Sequence, residues 1–538
     1  MVFFSGFAGL VYQVLWMKQL GLLFGNTSQA AAATFAAFFA GLAAGSWGWG
    51  RNAARMKHPL RRYGWLEVGI ALSALLYFAI LALYYRIYPE FYQRVNSATL
   101  LLVLKFALAL LLIFPPAFFM GGTIPVMAQY LIRNRSSFGS ASAFLYGINT
   151  LGAAIGVFMA GFWFPLWLGF RLTYGLAMTV TCSMAVGAFV LSRPAGSWQP
   201  DDQPAVTPNP AGAGWGRLPL LVICFLSGFG TLALEVLWTR MFVQVLENSV
   251  YTFAAILLVV LLCLAGGSFI SSRLARLSVR PSTMIPILLL AGGLSIAISP
   301  FVFMELTDSL QILVSPGSWF SYLGLIFKNV FLTIAVPTLI LGTIFPYLLK
   351  AEETYSTAVG RSIGILSCVN TIGAILGSLV CGFWFLGNLG MWRTMHLMAL
   401  VYLVAVLLFP NGWRIPSLIV RGAALSAMVL LFWGLDPRAL PVHSIDKLRP
   451  SETILETWEG RDCIVSAART RHGISIKINS HYGLGSTDAY MQERMQSDIP
   501  LYAYPETRNV FFLGMGTGIT AGGALDAARF PNINRVVT

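Results

Sequence analysis

Two sets of residues in this sequence have the types and spacing for chemistry. The first is the glycine run Gly514, Gly516 and Gly518, with Thr517 inside it, near the C-terminal end. Lacking side chains, such glycines let backbone N–H groups approach a nucleotide or nucleoside closely at a helix N-terminus. Residues 510–513 before the run read as a strand, 519–528 after it as a helix, and the sequence then enters a second strand. A G-x-G-x-G run set between strand and helix points to the start of a nucleoside-binding α/β domain, the alternative being a tight turn that holds no ligand. The acid that grips ribose hydroxyls in such folds follows the second strand, and the sequence stops inside that strand. No P-loop lysine follows the glycines, which speaks against ATP hydrolysis.

The second set lies in apolar surroundings: Gln13, Lys18, Glu67, Lys105, Glu235, Arg240 and Lys328. An ionisable group in a membrane segment is a functional candidate, because burying it unpaired is expensive. A cavity lined by Glu235 and Glu67 would bind a cation such as a polyamine. The plainer reading pairs Glu235 with Arg240 or a lysine as a lock between helices. Asn149 and Asn370 are expected to hydrogen-bond between helices, and the glycine pairs Gly152/Gly156 and Gly373/Gly377 to serve close helix packing.

The elements that must position these residues are set by composition. Apolar residues make up 57% of the 538 and charged residues 10%, against about 25% charged in a soluble domain. Spans are expected at 2–24, 29–49, 64–85, 100–131, 142–167 and 172–191, then at 218–245, 251–271, 284–303, 322–349, 362–387 and 393–409. A polar linker, 193–216, separates the two groups, and 415–433 forms one more apolar segment with Arg421 inside it. The apolar start at Met1 lacks a basic n-region and a cleavage site, so it reads as a first span. The net charge of +14 resides mainly in loops between spans, which excludes a nucleic-acid face. The cysteines show no C-x-x-C spacing and the histidines no metal-ligand spacing, so neither a disulfide framework nor a metal is expected.

The two groups of spans are copies of one another. Ser5-Gly6-Phe7 returns as Ser227-Gly228-Phe229, Val14-Leu15-Trp16 as Val236-Leu237-Trp238, and Gly161-Phe162-Trp163-Phe164 as Gly382-Phe383-Trp384-Phe385. In this register Gln13 answers to Glu235 and Lys18 to Arg240, and Lys105 pairs with Lys328 one position out of step. Two repeats with an even number of spans share one orientation, as the halves of major facilitator transporters do. The basic loops at 51–62 and 273–280, with Arg133 and Arg135, are expected on the cytoplasmic side. The side of the C-terminal domain depends on whether 415–433 crosses.

Past residue 436 the composition turns soluble. Runs at 453–458, 463–467 and 474–478 read as an antiparallel β unit, and Thr487 or Asp488 as the cap of a helix that ends before Pro500. The expected organisation is a membrane repeat at 1–192, a linker at 193–216, a second repeat at 217–410 and an apolar segment at 411–435. A β unit with its helix occupies 436–508, and an incomplete α/β domain 509–538.

The repeat start SGFAGLVYQVLW, the basic loop after the second span and the tail IPLYAYPETRNVFFLGMGTGITAGGAL together resemble bacterial membrane proteins fused to a spermidine synthase-like domain. That family, with a methyltransferase-like fold, transfers an aminopropyl group from decarboxylated S-adenosylmethionine to putrescine. The resemblance implies a nucleoside site at Gly514, Gly516, Thr517 and Gly518, and ligand contacts near Asp488, Tyr490 and Glu493. Thr517 stands where the family usually has an aspartate, and the family's catalytic and polyamine-binding acids have no counterpart here, so this chain is expected to be inactive as an aminopropyltransferase. The basic loop has Ala54 where a major facilitator protein usually shows an acid. The leading expectation is a multi-span protein of a bacterial inner membrane with a spermidine synthase-like domain. The rivals are a polyamine or other cation transporter or sensor with a nucleoside-binding tail, and a membrane scaffold.

Overall fold

The computed structural model describes all residues except 25–27, 95–96, 133–136, 193–215, 247–249, 278, 315–316, 354, 356–358, 409–414, 435–439, 445–451, 461–462 and 480–481. Arg133, Arg135 and nearly all of the expected linker lie outside the described residues. The first repeat comprises α1 (Val2–Phe24), α2 (Ser28–Ala53), α3 (Pro59–Arg94), α4 (Ala98–Leu131), α5 (Phe138–Phe158), α6 (Phe164–Trp167) and α7 (Gly169–Ser192). The second comprises α8 (Arg217–Phe242), α9 (Val250–Leu274), α10 (Pro281–Leu306), α11 (Trp319–Glu352), α12 (Val359–Val380), α13 (Leu386–Leu389) and α14 (Met391–Leu408), with α15 (Ile415–Trp433) after it. Among the described residues nine helical stretches are long and apolar enough to cross a bilayer. The chain is a multi-span membrane protein.

The copies pack alike. In the first repeat α1 lies on α5, α2 on α4, and α3 on α4 and α7; in the second α8 lies on α12, α9 on α11, and α10 on α11 and α14. Between them α2 meets α12 and α5 meets α9, so the second helix of each copy rests on the fifth of the other. Small residues permit this closeness. A Cβ on Gly6 would stand 2.2 Å from the Asn149 carbonyl oxygen, and one on Gly228 1.9 Å from that of Asn370. The repeated Gly-Phe-Trp-Phe sequence also has a structural signature. The helix widens to π geometry at Met159–Trp163 and again at Cys381–Phe385, where the sequence suggests unbroken spans.

The soluble part has two small sheets. The strands β1 (Thr453–Glu459), β2 (Ile464–Arg469), β3 (Ile474–Ile478) and β4 (Tyr482–Ser486) form an antiparallel meander. β4 escapes sequence reading because its YGLGS carries two glycines and no alternation. The next helix, α16 (Tyr490–Ala503), corrects two expectations. Neither Thr487 nor Asp488 caps it: Ala489 is the N-cap, and the Thr487 hydroxyl accepts from the Ile474 amide at 2.8 Å. Pro500 lies inside α16, near its end, and its carbonyl accepts the Tyr504 amide at 3.0 Å. Finally β5 (Asn509–Phe511), α17 (Ile519–Gly523) and β6 (Arg535–Val537) form a βαβ unit with parallel strands. α17 is half the expected length because Gly522 and Gly523 weaken helix propagation.

The contacts also place the β unit. Gly373 meets Phe225 and Gly377 meets Phe229, so α8 and α12 run parallel; Gly364 meets Ser46 and Gly360 meets Ala53, so α2 runs against α12. The basic loop after α2 is thus at the Arg217 end of α8. At the other end of α8, Arg240 donates to the Gly460 carbonyl (2.9 Å) and Gln244 to the Asn479 amide oxygen (3.4 Å). The Met391 amide donates to Glu459 (2.9 Å) and Trp392 Nε1 to the Pro441 carbonyl (3.1 Å). Helix α15 packs on α10 and α14.

Candidate binding cavity between the repeats

A cavity of about 280 Å³ lies between the repeats, walled by α1, α2, α4 and α5 on one side and by α8, α9, α11 and α12 on the other. Its wall follows the repeat. Gln13 and Glu235 both line it, as do Ser5 and Ser227, and Asn149 and Asn370. Each helix start SGF, unremarkable as an apolar span, places a serine on this wall.

The polar groups are open to a ligand. Gln13 is only 7% exposed, yet among the described residues its amide has no hydrogen-bond partner. Among the described residues the buried Asn370 Oδ1 has no partner, which corrects its expected bond to a neighbouring helix. No Lys or Arg among the described residues pairs with the Glu235 carboxylate, which corrects the expected lock: Arg240 turns to Gly460 instead. The aromatic wall is one-sided. Phe35, Phe38 and Phe39 come from α2, whereas their repeat counterparts Leu257, Val260 and Leu261 come from α9.

The other intramembrane candidates stand elsewhere. Glu67 is fully buried beside Ser5 and Tyr63, behind the wall rather than on it, and its Oε1 has no hydrogen-bond partner among the described residues. The period of α3 turns it toward α1, so the expected cavity of Glu235 with Glu67 contains only the former. Lys18 and Lys105 are half-buried outside the wall, and Lys328 is exposed on α11.

At the basic-loop end the repeats cap each other's helices. The first-turn amide of α5, at Gly139, donates to Glu353 just past α11 (2.6 Å), and the same carboxylate takes Lys350 (2.7 Å). In the counterpart position the Gly360 amide of α12 donates to Gln129 of α4 (2.9 Å). Arg217 also pairs with the buried Glu352 at 2.6 Å.

The glycine loop of the tail is a separate place. Gly514, Gly516 and Gly518 have φ of 92°, 57° and 80°, a region that side chains resist, so the turn itself requires them. A Cβ on Gly514 would meet nothing within 4 Å, so the space over the loop is open. Glu493 takes the Ser486 amide on one oxygen (2.8 Å) and the Thr517 hydroxyl on the other, joining β4 to the loop. Asp488 and Tyr490 are exposed, and the Tyr490 hydroxyl accepts from Arg494 at 2.9 Å. The structure therefore joins Glu493 to Thr517 but not Asp488 or Tyr490 to the loop.

No family model and no curated protein matches this chain. Among solved structures it is similar to a variant of the E. coli fucose:proton symporter FucP, at 15% identity and a TM-score of 0.43, over 78% of this chain and 96% of that one. The two-fold arrangement described above stands on the contacts of this chain alone.

Proposed function

We propose that the protein is a carrier for a small cationic solute, a polyamine being the first candidate, which binds between the repeats and crosses as they rock about it. The observation that carries this reading is the cavity itself, where Gln13 and Glu235 occupy equivalent sites with no side-chain partner among the described residues. A carboxylate without a protein cation in a low-dielectric site favours a ligand that brings the positive charge. The Phe35, Phe38 and Phe39 face adds an apolar and cation–π surface for an alkylammonium chain. Uptake of labelled spermidine into proteoliposomes tests it. Saturable uptake lost in Glu235→Gln is expected; flux that is absent, or equal in both proteins, would sink the proposal.

A second reading, a spermidine synthase-like domain that takes decarboxylated S-adenosylmethionine, draws support from the three left-handed glycines between parallel strands. In that reading the loop amides would hold the nucleoside and Glu493 would hold the loop in shape through Thr517. The β unit docks opposite the basic loops, away from cytoplasmic nucleosides under the positive-inside rule, which favours the carrier. Calorimetry with decarboxylated S-adenosylmethionine separates the two: micromolar binding, abolished by Gly516→Val, would restore the enzyme reading.

A further inference from the structure

We infer that the loop between α2 and α3 is a headgroup site for an anionic phospholipid. Arg55, Lys57, Arg61 and Arg62, with Trp49 and Trp65, line a second cavity of about 720 Å³ at this end of the bundle. Among the described residues no carboxylate pairs with any of these four cations, and α3 opens without an acid in its first turn. Arg61 and Arg62 are themselves first-turn residues, so the partial positive charge of the helix N-terminus adds to theirs. A concave, uncompensated cluster of this kind is built for a phosphate.

Membrane orientation alone does not require it. The counterpart loop manages with Arg273, Arg276 and Arg280; Arg276 there donates to the Ser140 hydroxyl at 3.4 Å, and the first turn of α10, from Pro281, has no base. The extra charges of the first repeat therefore have another use. The aromatic neighbours point to a lipid rather than a free anion. Trp47 and Trp65 are 50% and 54% exposed beside the cluster, Arg51 lies 5.6 Å over the Trp47 ring, and Trp65 packs on Phe189 of α7. Half-exposed tryptophans flanking basic residues mark the depth of lipid headgroups.

The test is lipid retention by the full chain. The protein is loaded in vesicles of phosphatidylglycerol and phosphatidylcholine, extracted into detergent and read by native mass spectrometry. Bound phosphatidylglycerol, but not phosphatidylcholine, is expected on the wild type. At the usual contribution of each basic residue near an anionic surface, R55A/R61A/R62A should weaken retention about a hundredfold. The lysine triple R55K/R61K/R62K keeps the charge and should keep most of the lipid, which separates loss of binding from loss of folding. Equal retention in wild type and alanine triple, or an equal loss in R273A/R280A, would overturn the proposal. Displacement of the lipid by millimolar inorganic phosphate would overturn it too, by assigning the pocket to a soluble anion.

Discussion

The two membrane repeats share helix packing, glycine contacts and π-widened segments, and differ where they face the cavity. At equivalent places the first presents Gln13 and a phenylalanine face, the second Glu235 and an aliphatic face. A shared frame with unequal walls is how a two-fold shell binds an object that lacks two-fold symmetry. In the proposed carrier one end of the ligand would meet a carboxylate, the other an amide and aromatic rings. The sharpest way to break the comparison is to exchange the two side chains. Glu235→Gln should lower affinity for spermidine by ~2 kcal/mol or more, at least about thirtyfold, as removing one member of a buried charge pair does. The exchange Q13E/E235Q should recover binding if the frame is truly two-fold, measured by scintillation proximity on purified protein. Failure of both proteins alike would mean that the frame, too, differs between the copies.

The frame is tested at its closest contacts. Gly228→Ala places a methyl group 1.9 Å from the Asn370 carbonyl oxygen, and Gly6→Ala one 2.2 Å from that of Asn149. Each should destabilise by ~1–3 kcal/mol, as overpacking does. Gly175→Ala on α7, with nothing within 4 Å, should be neutral or stabilising. Thermal unfolding in detergent reads all three, and a neutral Gly228→Ala would mean that the helices separate easily.

Much of this frame was legible beforehand, because a repeat is a long-range signal that survives any error in local structure. The equivalence of Gln13 and Glu235 followed from register alone. What the register does not contain is the rotation of each helix about its axis. Glu67 read as a cavity residue and stands behind Ser5, whereas Asn149 and Asn370 read as helix glue and line the wall. Composition hid β4, whose glycines look like a turn until β3 pairs with it. The docking side of the β unit needed contacts from Arg240 and Gln244 that span more than two hundred positions, and one from Trp392 that spans 49, and no local pattern encodes those.

A smaller difference sits at the basic-loop end, where one cross-repeat cap is a carboxylate and the other an amide. Glu353 accepts the Gly139 amide and holds Lys350, while Gln129 accepts the Gly360 amide. A charged cap at a helix N-terminus exceeds a neutral one, so Glu353→Ala should loosen this end by ~1.5–3 kcal/mol and Gln129→Ala by ~0.5–1.5 kcal/mol. The readout is the labelling rate of a cysteine placed at Ser46, on the cavity wall, by a reagent added from the basic-loop side. Equal rates in the two variants would show that the charged cap holds this end no better than the neutral one.

The least effect concerns the β unit, which rests on the second repeat. His443 is buried against the Ser466 hydroxyl, 3.1 Å from its Nδ1, and near it the Lys477 ammonium pairs with Glu452. Burial first, and then the Lys477 charge, push the imidazole down to about 4 from the ordinary 6.5, with Glu452 opposing. The folded unit therefore binds fewer protons than the unfolded one, and stability must rise with pH across this interval. The contribution is fully present above about 6.5 and is lost progressively as pH falls toward about 4. Hydrogen exchange of β2 and β3 should accordingly quicken, after correction for intrinsic rates, between pH 7 and pH 5. His443→Gln, which cannot take the proton, should flatten that dependence while the membrane helices keep their protection. A wild type with flat corrected rates would mean that water reaches His443 and that its burial adds nothing to the stability of the unit.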